Sequence, residues 1–591
     1  MRMPRFRPIS LAPFMGELRG YRFSTFRTEA FGALAVALLT IPQAIAYSLL
    51  AGLPPSAGMF SAIFGTIFAA SFGSSRQLIS GPSTGIAILL QASIADILYA
   101  YYENVPDIMR ESITLALLTQ IVVIVGVIQI GASLFNVSKL LQFVSRSVML
   151  GYFLGITVAI VVGQLYYLFG VPRPVGDDPI LYKLAYFFSR LLQTNGSALI
   201  VGAAAFAALF VCRRKLKNWP DALFALLVGS FLAYGLFSMG VGPKVETLGD
   251  LKIVGDLVPR LALPILDFKD LNRIFPAAVA IAMLAILEVT SISRTFASRT
   301  GQRMYANQDI FGLGVANWCL SFISGAMPCS GSATRTALNY RMGAKTRFAA
   351  IISGVLTGVI VYFCWPLVQG IALPALAVIL IATVPTLTNW QEVKLSFRAT
   401  REDAWVFSLT FISCLIFSLD VAFFIGISIS LATYLKKSSE PHLVEYAFNS
   451  KGRLMTISPE TDVHRKIRII GIGGELYFAA ADFFQNAMTE IVDDPNVQAI
   501  VLRLNNVYHM DASMCLAITR LYEALNSKER HLLISGLTEE VWSVLHRTGL
   551  VKRLGPENLY FTDESNPQFS TWKACLHAQD LIHKMEVGHN S

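Results

Sequence analysis

"SGPSTGIAILL" (80–90) and "SGSATRTALNY" (330–340) share Ser-Gly, a small or hydroxyl residue, Thr and Ala in register, 250 positions apart. Both interrupt apolar sequence. Gly81 and Pro82 break regular helix, and Ser83 or Thr84 can cap a helix that begins inside the apolar run. In the second copy Ser330, Gly331 and Ser332 lead through Ala333 into a helix carrying Thr334 and Arg335. A helix start of this kind aims free N–H groups and a positive dipole end at whatever lies before it. Two of them facing each other make an anion site without a metal, and backbone polar groups are tolerated at membrane depth where they line a cavity.

About forty residues upstream of each copy is a helical stretch with a polar residue in mid-span: Gln43 in "IPQAIAYSLL" (41–50) and Glu288 in "AILEVTSISRTFA" (285–297). The chain therefore reads as two copies of one unit, the first span matching the eighth and the third matching the tenth. Seven spans per copy place the halves in opposite orientations, and paired interrupted segments point to a midplane site. Gln43 and Tyr47, at i and i+4, share a face behind Pro42 and offer an amide and an aromatic wall. Ser291 and Thr295 follow Glu288 on one helical side. Glu288 has no basic neighbour within five residues, so it is a proton carrier, a cation ligand or a partner of Arg335. A charge such as Arg335 at membrane depth costs at least ~2.5–3.5 kcal/mol and is usually kept for function. It either adds positive potential to the site or pairs with Glu288.

Composition agrees with a membrane chain. Of 591 residues 54% are hydrophobic and only 15% charged, with mean hydropathy +0.55, too few charges for a soluble surface. Spans are expected near 30–50, 56–73, 83–99, 112–135, 146–169, 196–212, 221–241, 275–296, 309–327, 332–342, 347–370, 372–386, 404–419 and 421–436. The tenth is too short to cross a ~30 Å hydrocarbon core. The first is too long and too Pro/Gly-punctuated for a cleaved signal peptide. Arg2, Arg5, Arg7, Arg19, Arg22 and Arg27 precede it. Arg76, Lys139, the 213–217 cluster, Arg299 and Arg303, Lys345, the 394–401 cluster, and Lys436 with Lys437 then fall on every second connection. By the positive-inside rule both termini are cytoplasmic. This distribution also accounts for the net charge of +9 without a nucleic-acid partner.

Beyond 437 the composition changes. Residues 438–463 read as a polar linker. From 464 to 572, β-rich runs (467–472, 498–504, 531–535) alternate with amphipathic helical patterns (481–493, 512–526, 538–548), an α/β domain. "GIGG" (471–474) reads as a strand-to-strand turn, and 573–591 as a flexible tail. Seven scattered Cys without a CxxC pair argue against a zinc site or disulfide framework. No phosphate-binding or catalytic constellation stands out, so an enzyme is not expected, nor a metal or cofactor.

"IPQAIAYSLLAGLPPSAGMFSAIFG" (41–65), "GSSRQLISGPS" (73–83), "ISRTFASRTGQ" (292–302) and "GAMPCSGSATRTALNYRMGAKT" (325–346) together resemble the hallmark segments of the SulP family of anion transporters, which includes the animal solute carrier family 26. The likeness covers about 25–570, and its C-terminal part resembles the family's STAS domain. The resemblance implies an α-helical polytopic membrane protein of about fourteen spans in a 7+7 inverted repeat, with core and gate domains over 28–437 after a cytoplasmic segment 1–27. It implies a cytoplasmic STAS domain, elevator-type alternating access, a homodimer, and a site between spans 3 and 10. Carried over by position, Gln43, Tyr47, Ser83, Thr84, Ser332, Thr334 and Arg335 would border the anion, with Ser330, Gly331 and Ala333 in the same turn. Glu288 lies where proton-coupled members carry a glutamate, whereas a sodium-coupled bicarbonate member uses an aspartate in that region. The expected function is proton-coupled symport of sulfate or a dicarboxylate across a plasma membrane, in bacteria the inner membrane. The alternatives are sodium-coupled bicarbonate transport and an uncoupled exchanger or channel. STAS relatives that act as anti-sigma antagonists carry a phosphorylatable Ser directly after an Asp. Here Asp511 is followed by Ala512 and Ser513 is one position late, which favours packing and assembly over a phospho-switch.

Overall fold

Every apolar run read from the sequence forms a helix, although the ninth, expected over 309–327, ends at Leu320 because "SFISGAM" (321–327) is turn. Where helices run past the expected bounds the extra turns are polar, as in "FSTFRTE" (23–29), "DIMRE" (107–111) and "FKDLNR" (268–273). Hydropathy marks the part of a helix that sits in hydrocarbon, while hydrogen bonding carries the helix on into the headgroup region. The computed structural model describes residues 9–18, 21–102, 105–137, 145–174, 179–215, 221–251, 258–264, 267–387, 390–439, 441–449, 452–457, 465–563 and 565–589. Arg2, Arg5, Arg7, Arg19, Lys139 and Lys217, used above for topology, lie outside them.

The first unit, Met1–Ser430, begins with α1 (Met15–Leu18), α2 (Phe23–Leu50), α3 (Pro55–Phe60), a π-helical stretch (Ser61–Gly65) and α4 (Thr66–Phe72). It continues with β1 (Ser80–Gly81), α5 (Thr84–Tyr102), α6 (Asp107–Leu134), α7 (Arg146–Phe169), α8 (Ile180–Ser189), α9 (Gly196–Lys215) and α10 (Asp221–Ser238). The second half repeats the plan with α11 (Phe268–Thr300), α12 (Ala306–Leu320), β2 (Ser330–Gly331), α13 (Ala333–Arg341), α14 (Phe348–Gln369), α15 (Leu373–Leu387), α16 (Trp390–Ala399) and α17 (Arg401–Ile416). The last helix, α18 (Leu419–Ser439), runs past the unit's end. Among the described residues eleven helices are long and apolar enough to cross a membrane. The nine residues of α13 span roughly 13 Å, less than half the hydrocarbon thickness.

In the first unit two helices longer than a single turn, α8 and α16, were not anticipated. The ten-residue α8 buries only Ile180 and Phe187. The ten-residue α16, in a stretch read as a connection, buries Val393 and Ser396 and exposes Trp390, Leu395 and Phe397. A short amphipathic helix with exposed aromatic and basic residues suits the membrane surface, and its few apolar positions are too short a run for a span-length hydropathy window to register.

The helices sort into two bundles, each drawing the equivalent elements from both halves. In one, α2 packs on α14, α4 and α6 on α12, α5 and α6 on α11, and α13 on α2. In the other, α7 packs on α15 and α17, and α9 and α10 pack on each other and on α15.

The connections sort the same way. Glu29 accepts from the Lys345 N–H at 3.0 Å and the Thr346 N–H at 2.7 Å. Asp309 accepts from the Ser74 N–H at 2.6 Å and the Ser75 N–H at 2.9 Å, and Arg146 pairs with Glu392 at 2.8 Å. These are the connections that the charge count places on one side. The others meet among themselves: the Leu248 N–H donates to the Ile371 carbonyl at 2.8 Å and the Ala262 N–H to Phe322 at 3.0 Å, and Asn195 Nδ2 donates to the Lys244 carbonyl at 3.1 Å.

The second unit, Leu431–Ser591, is a six-stranded sheet of order β4-β3-β5-β6-β7-β8. Its parallel centre is β5 (Ile467–Leu476), β6 (Ala499–Met510), β7 (His531–Leu537) and β8 (Leu559–Phe561), joined by α19 (Phe478–Asp493), α20 (Ala512–Asn526), α21 (Glu539–Arg547) and α22 (Leu550–Leu554). Alternate side chains serve opposite faces. Ile470, Leu502 and Ile534 pack under those helices, while Ile469, Val501 and Leu533 face Ala574, Cys575, Ala578 and Ile582.

Three expectations change here. The stretch 438–463 is not only linker, because β3 (His442–Phe448) pairs antiparallel with β4 (Leu454–Thr456) and with β5. Residues 573–589 of the expected tail 573–591 lie within α23 (Phe569–His589), whose small residues cover the second face of the sheet, and the last two lie outside the described residues. "GIGG" lies inside β5 at a register irregularity, and a helix follows it four residues on. Glycine breaks the apolar alternation there without ending the strand. Asp511 caps α20, accepting from the Met514 N–H at 3.0 Å.

Candidate functional site

The two quoted motifs meet. Ser80 pairs antiparallel with Gly331 and Gly81 with Ser330, and each strand runs straight into its short-started helix, α5 at Thr84 and α13 at Ala333. The crossing is fastened on both sides. The Ser332 N–H donates to the Ile79 carbonyl at 2.9 Å, and the Ile79 N–H donates to Thr336 Oγ1 at 3.0 Å. Asn339 Nδ2 reaches the Gln77 carbonyl at 3.0 Å, and the Thr66 hydroxyl donates to the Ser80 carbonyl. The π-helical stretch lies against β1, a common use of such turns beside functional sites.

Glu288 sits on α11 beneath the crossing and receives one hydroxyl from each motif. Ser83 Oγ donates to Oε2 at 2.9 Å and Ser330 Oγ donates to the same atom at 2.5 Å. Ser83 Oγ also accepts from the Ile86 N–H at 3.4 Å, the loose form of the expected cap. No side chain caps α13, since Ser332 Oγ turns to Thr334 Oγ1 at 3.4 Å. Ala333 is exposed and Thr334 half-buried, so the first turn of α13 can be reached from outside the protein core.

Arg335 is fully buried, and its pairing with Glu288 does not form. Nη2 donates to the Pro82 carbonyl at 2.5 Å, crossing from the second motif to the first. Among the described residues Nε and Nη1 have no hydrogen-bond partner. A Cβ at position 81 would stand 2.7 Å from Nη1, and Gly81 has φ +150°, so glycine is needed there twice over. A buried, singly bonded guanidinium with two idle N–H edges is costly unless an anion completes it. Chemically, two idle guanidinium edges are donors of the kind that pair with oxyanions.

Tyr47 is buried with its hydroxyl beside Thr84 and within electrostatic reach of Arg335 and Glu288. Gln43 is buried with Oε1 unpartnered. Ser291 and Thr295 point to the exposed side of α11, away from buried Glu288.

Sequence reasoning missed three contributors. Asn317 on α12 holds the lead-in to β2: its Oδ1 accepts from the Cys329 N–H at 2.7 Å, and its Nδ2 donates to the Cys329 carbonyl at 3.1 Å and to Gln129 at 2.8 Å. Tyr152 on α7 is fully buried against Phe423 on α18, ring centroids 5.1 Å apart, with its hydroxyl unpartnered. Gly85 leaves room for Glu288. Asn317 and Tyr152 were visible as lone polar tips in apolar spans; nothing in the sequence marked Gly85.

The pattern of the Sulfate permease family matches residues 26–410, and that of the STAS domain matches 458–564. The chain is 26% identical to "Sulfate transporter 4.1, chloroplastic" of Arabidopsis thaliana, over 93% of this chain and 81% of that one. It is 22% identical to "Putative sulfate transporter YvdB" of Bacillus subtilis, over 93% and 98%. Its fold resembles that of the murine solute carrier 26 family member A9 anion transporter in the inward-facing state, with TM-score 0.84, 17% identity, and coverage of 98% and 96%. Matched over most of its membrane unit and closed by a STAS domain, the chain belongs to the sulfate permease family, whose members are multi-pass membrane transporters and not enzymes.

Proposed function

We propose that the protein is a secondary active transporter of a small oxyanion, sulfate before a dicarboxylate, moved together with a proton. The observation that carries the reading is the buried Arg335 guanidinium with idle Nε and Nη1, at the crossing of two helix starts, with no acid paired to it among the described residues. The names of the relatives support sulfate.

Charge arithmetic supports the proton. Arg335 and ionised Glu288 sum to zero, so sulfate would take the site to −2, while protonated Glu288 would leave −1. Carrying the smaller net charge through a low-dielectric path costs less. In this reading Glu288 is protonated, the anion docks against Arg335 and the first turns of α5 and α13, and the α2–α6/α11–α14 bundle slides against the α7–α10/α15–α18 bundle in an elevator motion. The protein works in a plasma membrane, the bacterial inner membrane, as a homodimer with both termini cytoplasmic.

Sulfate uptake into proteoliposomes under an imposed pH gradient tests this. Uptake should rise with an inward proton gradient, and Glu288→Gln should abolish that dependence while sulfate–sulfate exchange persists. Uptake indifferent to the proton gradient but driven by sodium would replace the proton with sodium. Uptake indifferent to both would make the protein an uncoupled exchanger or channel.

A further inference from the structure

A second cationic cavity lies on the face formed by the connections around α1, α4–β1, α11–α12 and the start of α14. It encloses about 720 Å³ and is lined by Ser10, Arg76, Asn136, Arg303, Gln308 and Arg347 among others, with no carboxylate in its lining. Neither Arg335 nor Glu288 lines it, so it is not the site already described.

Arg347 is more than nine-tenths buried, and among the described residues its Nε and Nη1 have no hydrogen-bond partner. Two acids act on it: Glu17 of α1, which accepts from Arg76 Nε at 2.9 Å and lies 3.5 Å from Arg347 Nη2, and Asp309, whose carboxylate is taken up by Ser74 and Ser75. The Glu17 carboxylate is shared by two guanidinium groups, and Arg303 adds a third, exposed positive charge. Gln308 is spent on scaffolding: its Nε2 donates to the carbonyls of Ser10, at 2.9 Å, and Phe72, at 2.5 Å.

We propose that this cavity binds a phosphate-type oxyanion, the head group of an anionic phospholipid being the source. Guanidinium forks match phosphate oxygens in pairs, and basic pockets at the ends of transmembrane helices on the cytoplasmic side suit anionic head groups. Between and just after the lining residues Ser10 and Pro13, Leu11 and Met15 are 72% and 59% exposed, apolar side chains that acyl chains would cover. The cavity is lined mainly by connections between helices of one bundle, so a bound lipid would anchor the stretch leading into α1 to that bundle.

The test is thermal unfolding of the purified full-length protein in detergent, titrated separately with short-chain phosphatidylglycerol, phosphatidylcholine of the same chain length, and inorganic phosphate. Phosphatidylglycerol should raise the midpoint and phosphatidylcholine should not. Arg303→Gln and Arg347→Gln should each weaken the apparent affinity about tenfold, the loss of one charge-assisted contact. Arg303 is exposed, so its variant keeps the test available if Arg347→Gln fails to fold. Inorganic phosphate giving the same shift with the same sensitivity to both variants would support the site and name the free ion as its source. Equal shifts with both lipids, affinity unchanged in Arg303→Gln, or a shift lost only in Arg335→Ala would overturn the proposal.

Discussion

Glu288 Oε1 stands 2.9 Å from where the Cβ of any residue but glycine would sit at position 85. The carboxylate is pressed onto the first turn of α5 while its other oxygen holds Ser83 and Ser330. Ordinarily Gly→Ala inside a helix stabilises by roughly 0.5–1 kcal/mol. Here the methyl would push the flexible carboxylate off both hydroxyls. Gly85→Ala is therefore expected to fold with a near-native unfolding midpoint yet to lose proton-gradient-driven sulfate uptake. Retained coupling would show that this contact does not position Glu288.

Arg335→Lys should fail as fully as Arg335→Ala. An ammonium cannot reproduce a planar fork that bonds the Pro82 carbonyl and still presents two edges. Gly81→Ala should resemble both, because its Cβ would meet Nη1 at 2.7 Å and Nη2 at 3.3 Å. Calorimetric titration with sulfate should show affinity down by about tenfold or more in all three. Wild-type affinity in Arg335→Lys would mean that charge alone suffices.

Asn317→Ala should be among the most destabilising single changes in the membrane unit. It strands the Cys329 N–H and carbonyl and leaves Gln129 short of a donor. Each buried unpaired group costs about 1–3 kcal/mol. The expected outcome is a clear fall in unfolding midpoint with uptake lost in parallel. Loss of uptake at an unchanged midpoint would instead put Asn317 in the transport step.

Truncation after Pro567 should yield little monodisperse protein. It removes α23 and bares Ile469, Val501 and Leu533 on one whole face of the sheet. Uncovering even three such side chains forfeits roughly 4 kcal/mol or more. Size-exclusion chromatography of the truncated chain decides it. A stable, monodisperse product would show that the helix is dispensable for the sheet.

Much of the fold was legible because a bilayer imposes length and polarity rules on each span separately. Hydropathy located α2 to α18 apart from α8 and α16, whose apolar positions are too few to read at span length. The charge pattern sorted the connections into the two sets that meet in space. In the second unit α23 was read as tail because its apolar stripe is Ala, Cys and Ala around one Ile, too small to announce a buried face.

By itself the sequence determined that two broken helices, 250 residues apart, begin within apolar sequence, with Arg335 in one of them and Glu288 about forty residues ahead of it. Local chemistry decides this: Gly, Pro and hydroxyl residues end or start helices wherever they occur. Tertiary structure alone decided which charge meets which partner. Ser83 and Ser330 converge on one oxygen of Glu288, and Arg335 turns to the Pro82 carbonyl. That choice depends on the register of a two-residue ladder and on the space left by Gly81 and Gly85, ångström-scale relations between distant segments that no local pattern encodes.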